Sequence, residues 1–341
     1  MKVAIDSGPL NSADAIRGIG FQTKELYKEL EKFEDKNTKI DLVDFSKTDL
    51  SKYDIVHFQS FNPFRTRLPF TKPAKKVIIT VHDLIYLIYP KAYPPGIKGR
   101  LNFLIQKFNL RYVDAIITIS ETSKKDIIRF LGFPPDKIYV TYLAPQSKSP
   151  ESGKDRINLP EDFVLYIGDV NYNKNLLNLA KACKLAKLKL VMVGKQIADE
   201  KVNDNIEIRP WKKFLRLYKN DKDIIRLGFV NDLNQVFKKA SFYCQPSLYE
   251  GFGLPLLEAF ERNVPVVSSK TQTLVEIGGD ACLYFDPRDP IDMANKFRLI
   301  MKDKKLRRNL IKKGRERLKN FSWEKCARQT LNIYKKVLNE S

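Results

Sequence analysis

Short apolar runs alternate with longer amphipathic segments along almost the whole chain. Between the runs, apolar residues recur at helical spacing, for example in 21–33, 123–132 and 233–241. Strands that are apolar on both faces and separated by helices are typical of parallel sheets covered on both sides. The runs that predict buried strands are 2–6, 54–58, 76–81, 115–120, 137–142, 163–168, 189–194, 224–228, 242–246, 265–269 and 282–285.

The strands and helices form two similar series, separated by a stretch rich in proline, serine and charge at 143–162. A chain of 341 residues also suits two domains of ordinary size. We predict an N-terminal Rossmann-like domain over 1–145, a linker over 146–160 and a C-terminal Rossmann-like domain over 161–321. Residues 322–341 predict a helix, capped by Ser322, that crosses back to the N-terminal domain. Two doubly wound domains of this kind would face each other across a cleft, where the carboxyl ends of the strands bind ligands.

The composition indicates a packed globular protein, with 43% hydrophobic and 11% aromatic residues. Four widely spaced cysteines without a CxxC pair argue against a disulfide framework or a zinc site and suit a reducing compartment. Met1 leads directly into the first predicted strand, so we expect no signal peptide. No apolar run approaches the roughly 20 residues that span a bilayer. We therefore expect a cytoplasmic protein.

Positive charge is concentrated in two parts of a chain whose net charge is +21. Residues 55–113 contain ten Lys or Arg and one acid, Asp83, and residues 302–319 form a second basic stretch. Solvated helix faces, an anionic membrane surface and a phosphorylated substrate all remain open as explanations. No zinc finger, helix-turn-helix or RNA-binding aromatic signature is present, so we expect no nucleic-acid partner. For residues 55–113 we expect peripheral contact with an anionic membrane, at its inner face, or with a lipid-linked or phosphorylated acceptor.

The stretch SLYEGFGLPLLEAF, at 247–260, is the most distinctive motif. It follows a predicted strand and leads into a predicted helix, with Pro255 in the first turn, where a missing N–H costs nothing. A helix N-terminus beside glycines is an anion site, whereas the carboxylates of Glu250 and Glu258 can accept hydrogen bonds from sugar hydroxyls. Together these features describe a site for a nucleotide-sugar. The alternative is a plain strand-to-helix turn whose acids favour the helix dipole.

The motif EGFGLPLLE resembles the E-x7-E motif of retaining glycosyltransferase family 4, which has the two-domain GT-B fold. Segments 18–30, 77–95, 166–182, 225–255 and 264–287 resemble other parts of that family in the same order. The resemblance implies retaining, metal-independent transfer of a hexose of the mannose or glucose type. The donor would be a nucleotide-sugar, and the acceptor a glycan or a lipid-linked or phosphorylated molecule.

The resemblance also implies roles for matching residues. Glu250 and His82 would contact the transferred sugar near the reaction centre, and Lys174 would neutralise the leaving diphosphate. Glu258 would bind the ribose diol. Asn173 stands where many relatives carry a basic residue, so one phosphate contact differs unless Arg226 or another cation supplies it. The predicted donor-binding residues are Gly18, Gly20, Asn173, Lys174, Phe229, Val230, Glu250, Gly251, Phe252, Gly253, Leu254 and Glu258.

Neither a metal nor another cofactor is expected, because the resemblance implies that amide dipoles and Lys174 take the place of a metal on the donor diphosphate, and Asp199, Asp204 and Asp221 are scattered among lysines. His57, which also ends a predicted strand, is either an acceptor-side residue or a structural one. Two alternatives to a transferase remain: a nucleotide-sugar epimerase of the same fold, and an inactive scaffold that binds polyanions or glycans. The sequence does not predict the donor base, the acceptor or the oligomeric state.

Overall fold

A computed structural model describes residues 1–11, 18–146, 157–200 and 205–340. The chain divides into two compact units. Unit 1 comprises Met1–Ala144 and Phe321–Ser341, and unit 2 comprises Pro145–Asn320. Most of the predicted linker, residues 147–156, lies outside the described residues.

Unit 1 is built on a parallel sheet in the order β2-β1-β3-β4-β5-β6. Helices follow most of the strands, which is the connection that parallel neighbours require. The strands are β1 (Lys2–Asp6), β2 (Lys39–Val43), β3 (Ile55–Phe58), β4 (Lys76–Val81), β5 (Ala115–Thr118) and β6 (Ile138–Val140), and the helices before unit 2 are α1 (Gly18–Glu31), α2 (Ile85–Ile88), α3 (Gly96–Asn109) and α4 (Glu121–Leu131).

Unit 2 repeats the arrangement, with a parallel sheet in the order β12-β11-β10-β7-β8-β9. Its strands are β7 (Phe163–Ile167), β8 (Lys189–Val193), β9 (Ile224–Gly228), β10 (Phe242–Gln245), β11 (Val266–Ser269) and β12 (Cys282–Phe285). Its helices are α5 (Leu176–Ala186), α6 (Arg209–Tyr218), α7 (Leu233–Lys239), α8 (Leu254–Glu261), α9 (Gln272–Gly278), α10 (Pro290–Lys302) and α11 (Lys304–Leu318).

The final helix, α12 (Trp323–Asn339), packs in unit 1. It begins as predicted at Ser322, whose Oγ accepts a hydrogen bond from the amide of Lys325 at 3.1 Å. The ring of Trp323 meets Phe21 edge-on at 5.6 Å, and α12 makes one of the larger helix contacts of this unit, with α1. The chain thus passes through unit 2 and returns to complete unit 1.

All eleven predicted strands are present, but β2 was not predicted. It is an edge strand of sequence KIDLV, and Ile40 is its one fully buried residue. The charged side chains of Lys39 and Asp41 break the apolar run on which the other strand predictions rest. An edge position tolerates such residues because one side of the strand is not covered by a neighbour.

The described residues include no helix that is both long and apolar enough to cross a membrane.

Candidate active site

The loop between β10 and α8 owes its shape to Gly253. This residue has φ of +107°, and a Cβ at this position would lie 2.8 Å from Cδ2 of Leu274. Backbone conformation and space both therefore require glycine here. The helix then starts at Leu254, with Pro255 in its first turn as predicted. The N-terminus of α8, with its partial positive charge, opens onto the loop 246–253.

The carboxylate of Glu250 is the centre of a hydrogen-bond network. Lys174 Nζ lies 2.8 Å from Oε1 and 2.9 Å from Oε2. Gln245 Nε2 donates to Oε1 at 2.7 Å, and Ser247 Oγ donates to the same oxygen at 2.5 Å. The side chains of Lys174 and Glu250 are only 20% and 11% exposed. The structure therefore brings together two of the predicted catalytic residues as a largely buried ion pair, in which charge-assisted hydrogen bonds are strong.

Asn173 fastens this loop to the turn that carries Lys174. Its side-chain amide donates to the carbonyl of Tyr249 at 3.0 Å, and its own carbonyl accepts from the amide of Leu248 at 2.7 Å. Asn173 is buried, and of these two bonds only the one to Tyr249 uses its side chain, which is short enough to donate within the turn. Arg226, the suggested replacement cation, instead bonds Glu200 at 3.0 Å.

Two residues of this network, Gln245 and Ser247, were missed by the sequence analysis. Both are buried, and Gln245 also accepts a hydrogen bond from the hydroxyl of Tyr243. Thr273, which was also missed, holds the backbone of the loop by donating to the carbonyl of Glu250 at 2.7 Å. Polar residues at the end of an apolar strand are the signal that could have identified Gln245 and Ser247, because parallel strands deliver such residues to the ligand-binding edge.

Glu258 lies in the second turn of α8 and has surroundings unlike those of Glu250. Burial raises the pKa of its carboxyl, Arg262 opposes that rise, and Glu261 adds to it. Within the described part of the chain, no hydrogen bond joins Glu258 to Glu250 or Lys174. The two glutamates of the motif are therefore separate acceptors rather than a proton-sharing pair.

Phe229 and Val230 follow β9, at the carboxyl edge of the same sheet. The ring of Phe229 is 64% exposed, and Val230 is half-buried. Gly228 before them has φ of +70°, which turns the chain at the end of the strand. An exposed aromatic ring at a strand end offers a flat apolar surface, which is suited to a planar ligand.

In unit 1, His82 follows β4 and contacts α1. Its Nε2 donates to Oε1 of Gln22 at 2.6 Å, and the hydroxyl of Ser123 donates to the backbone carbonyl of His82 at 2.9 Å. Burial lowers the pKa of His82 to about 4, so the imidazole is neutral at pH 7 and its Nδ1 is an acceptor. Gly18 and Gly20 lie in the first turn of α1, and the preceding residues 12–17 are outside the described ones.

His57 is structural, one of the two roles that the sequence left open. It is fully buried; its Nδ1 lies 2.6 Å from the hydroxyl of Tyr334, and its Nε2 lies 2.8 Å from Oγ1 of Thr80. Burial, helped by the nearby His82, lowers the pKa of His57 to about 3. The neutral ring therefore links β3, β4 and α12 inside unit 1.

The described residues contain no group of three or more His, Cys, Asp and Glu that could hold a metal ion. The four cysteines are free, buried thiols.

Comparison with known protein families identifies the family to which the chain belongs. Residues 147–317 match the family described as "Glycosyl transferases group 1", and residues 24–144 match "Glycosyltransferase Family 4". The chain belongs to the group 1 glycosyltransferases of family 4, as the motifs predicted.

Similar proteins agree with this assignment. The O-antigen chain mannosyltransferase B of Escherichia coli is 30% identical over 76% of this chain and 70% of its own length. The serotype-specific mannosyltransferase WbdA of E. coli is 24% identical over 84% of this chain, which spans only 37% of that longer protein.

Solved structures show the fold. Sucrose-phosphate synthase from Thermosynechococcus elongatus superposes with a TM-score of 0.75 at 20% identity, covering 99% of both chains. Anabaena HepE, solved in complex with UDP and glucose, gives a TM-score of 0.70 at 14% identity and covers 98% of this chain and 99% of its own. The predicted GT-B fold is confirmed.

Proposed function

We propose that this glycosyltransferase is a retaining enzyme that transfers a mannose- or glucose-type hexose from a nucleotide-sugar to a glycan or a lipid-linked or phosphorylated acceptor, without a metal ion. The observation that carries the proposal is the Lys174–Glu250 pair beside the N-terminus of α8. The names of the two E. coli relatives support mannose as the sugar, and the UDP and glucose bound to Anabaena HepE support a nucleotide-sugar donor.

Lys174 and Glu250 supply complementary groups for such a donor. The ammonium group is a compact, mobile charge that can bind the diphosphate as negative charge develops on it. The Glu250 carboxylate accepts hydrogen bonds, and in this role it would bind hydroxyls of the transferred sugar. Gln245 and Ser247 both donate to Oε1, which Lys174 also contacts, so the position of that oxygen is fixed and Oε2, held by Lys174, would meet the sugar.

The rest of unit 2 would hold the remainder of the donor. The backbone around Gly251, Phe252, Gly253 and Leu254 would hold the sugar and orient the diphosphate, because the positive end of α8 lies there. Glu258 would accept hydrogen bonds from the ribose diol. Its pKa is raised by burial, which fits a site where a neutral, hydroxyl-rich ligand replaces water.

The base would lie near Phe229 and Val230, with the exposed ring of Phe229 as a stacking surface. In unit 1, His82 would contribute the acceptor atom Nδ1 of a neutral imidazole to a sugar hydroxyl. The N-terminus of α1, with Gly18 and Gly20, would offer amides to the diphosphate. We assign the acceptor to unit 1, with its basic stretch towards an anionic membrane or the acceptor's phosphate.

The test is transfer from a panel of donors, GDP-mannose, UDP-glucose and UDP-N-acetylglucosamine, with the anomeric configuration of the product read by NMR. We expect one donor to react, the α-linkage to be retained, and a chelator to leave the rate unchanged. Inversion of the anomeric centre would refute the retaining mechanism, and loss of the rate with the chelator would refute metal independence. Epimerised nucleotide-sugar without transfer would identify an epimerase, and binding of glycans without turnover would identify a scaffold.

A further inference from the structure

Helix α3 has the reverse of the usual orientation of a surface helix, because it buries mainly polar side chains and exposes most of its large apolar ones. Its inward face carries Gly99, Asn102, Gln106 and Asn109. Gln106 Oε1 accepts from the amides of residues 67 and 68 at 2.9 and 3.1 Å, and Asn102 Nδ2 donates to the carbonyl of residue 64 at 3.0 Å. A surface helix usually buries its apolar stripe instead. Polar side chains therefore anchor α3 to unit 1, together with Phe103, which packs partly buried against the core.

The outward face of α3 is apolar. Ile97, Leu101, Leu104 and Phe108 are 91%, 57%, 63% and 60% exposed. Their spacing of four, three and four residues places them along one stripe of the helix. Four large apolar side chains aligned in water are unfavourable unless another apolar surface covers them.

Cations flank this apolar stripe. Lys98, Arg100, Lys107 and Arg111 are all exposed, and the guanidinium of Arg111 lies 3.6 Å from the ring centroid of Phe108. The sequence from 84 to 113 contains no aspartate or glutamate. The surface formed by α3 thus combines exposed apolar residues with a margin of cations, and no acid lies within the stretch of sequence that carries them.

We propose that this surface of α3 docks onto an anionic phospholipid bilayer, with the apolar stripe among the acyl chains and the cations at the headgroups. The choice of a bilayer over a protein partner rests on charge complementarity, because apolar stripes bordered by Lys and Arg are typical of helices that lie in the membrane interface. With 14 residues, α3 is about 21 Å long, too short to span the roughly 30 Å hydrocarbon core. The proposal rests on the proposed function only in that a docked enzyme would meet a lipid-linked acceptor.

Flotation of the full chain with mixed phosphatidylglycerol and phosphatidylcholine vesicles tests the docking. We expect binding to these vesicles, and at least a tenfold lower partition coefficient for the double variant Leu101→Ser and Leu104→Ser. Replacing Lys98, Arg100 and Lys107 by Gln should weaken binding about fivefold per charge and remove most of its salt dependence.

Matched control substitutions are available in unit 2. Ile291 and Leu217 are 62% and 51% exposed on other helices, so Ile291→Ser with Leu217→Ser removes similar exposed surface and should leave vesicle binding unchanged. Thermal unfolding shows whether each variant is folded. The proposal also requires that the folded wild-type chain float with the vesicles.

Failure to float, or flotation that the α3 double variant does not change, would overturn the docking proposal. So would light scattering that shows a dimer of the wild-type chain and a monomer of the α3 variant, because a second copy would then cover the stripe. Binding of the donor panel is measured in parallel by isothermal titration without vesicles. Vesicle binding without donor binding would refute the proposed function alone, and donor binding without vesicle binding would refute the docking alone.

Discussion

The loop 246–253 of unit 2 and helix α3 of unit 1 both bury polar side chains, but they differ in what they expose. The loop directs polar groups inward onto one carboxylate, that of Glu250, which receives hydrogen bonds from three side chains. Helix α3 also buries polar side chains, and Phe103 packs partly buried against the core, but four of its large apolar side chains are exposed to solvent. The difference agrees with the two tasks proposed above, in which the loop would hold a small polar ligand and α3 would meet a large apolar surface.

Helix α11 shows why charge alone could not assign these tasks. It forms most of the second basic stretch, yet it has the ordinary orientation for a surface helix. Leu310 is buried, and Gly314 packs so closely on Phe260 that a Cβ would lie 2.7 Å from that ring. The cations of α11 form a solvated face, and α3 differs from it in the exposed apolar stripe between its cations.

The largest expected effect comes from removing the centre of the loop. Glu250→Ala should lower kcat/KM for the donor at least about a thousandfold, because it deletes the acceptor for the sugar and leaves Lys174 without its ion-pair partner. Its affinity for anionic vesicles should not change. Steady-state release of nucleoside diphosphate and flotation of the same preparation measure both quantities.

Glu250→Gln is the matched control for that substitution, since it keeps the shape of the side chain but not its charge. The kcat/KM of Glu250→Gln for the donor should lie between the values of the wild type and Glu250→Ala. A wild-type rate in Glu250→Ala would contradict the proposed role of the loop in the reaction, and the comparison with α3 would then fail.

The next effect is on stability. Gly253→Ala should destabilise unit 2 by about 2 kcal/mol, since it combines a positive φ with a contact against Leu274. In a Trp323→Phe background the fluorescence of Trp211, buried in unit 2, reports urea unfolding of that unit. At Gly18 an added Cβ meets nothing within 4 Å, so Gly18→Ala is the control and should leave unit 2 unaffected.

Lowering the pH should reduce the stability of unit 1 more than that of unit 2. The folded pKa of His57 is about 3 and that of His82 about 4, both below the ordinary 6.5, so the unfolded chain binds more protons and stability falls as pH decreases below about 7. At pH 5 each histidine should cost unit 1 about 2 kcal/mol. Unit 2 contains no histidine, and the raised pKa of Glu258 acts in the opposite direction.

Urea unfolding in a Trp211→Phe background, where Trp323 reports on unit 1, measures this dependence. His57→Gln should remove about half of it. If unit 1 kept its stability between pH 7 and pH 5, the lowered pKa values of His57 and His82 would be contradicted.

The smallest effect is expected on α11. Replacing Lys305, Arg308 and Lys312 by Gln should change vesicle binding by no more than about twofold, because a solvated cation that is not held at the membrane contributes little. A loss as large as that of the α3 charge variant would show that net charge, rather than the apolar stripe, determines docking.

Much of the fold was predictable because its strands are buried on both faces and thus appear as continuous apolar runs. Strand β2 was missed because an edge strand does not need such a run. In the site, Lys174, Glu250 and Glu258 stand in recognisable motifs. The contact of Asn173 with Tyr249 was not predictable, since it joins residues 76 positions apart. The inverted orientation of α3 also depends on contacts, because the same residues would suit a helix with its apolar face buried.

The most direct test of the central claim, a donor site in unit 2, is isothermal titration of the wild-type chain and Glu258→Ala with GDP-mannose and UDP-glucose. We predict one-to-one binding of at least one of these donors to the wild type. Glu258→Ala should bind it at least about tenfold more weakly, since a hydrogen bond to a charged acceptor contributes about 1.5–3 kcal/mol. Binding of neither donor, or equal affinity in wild type and variant, would contradict the account.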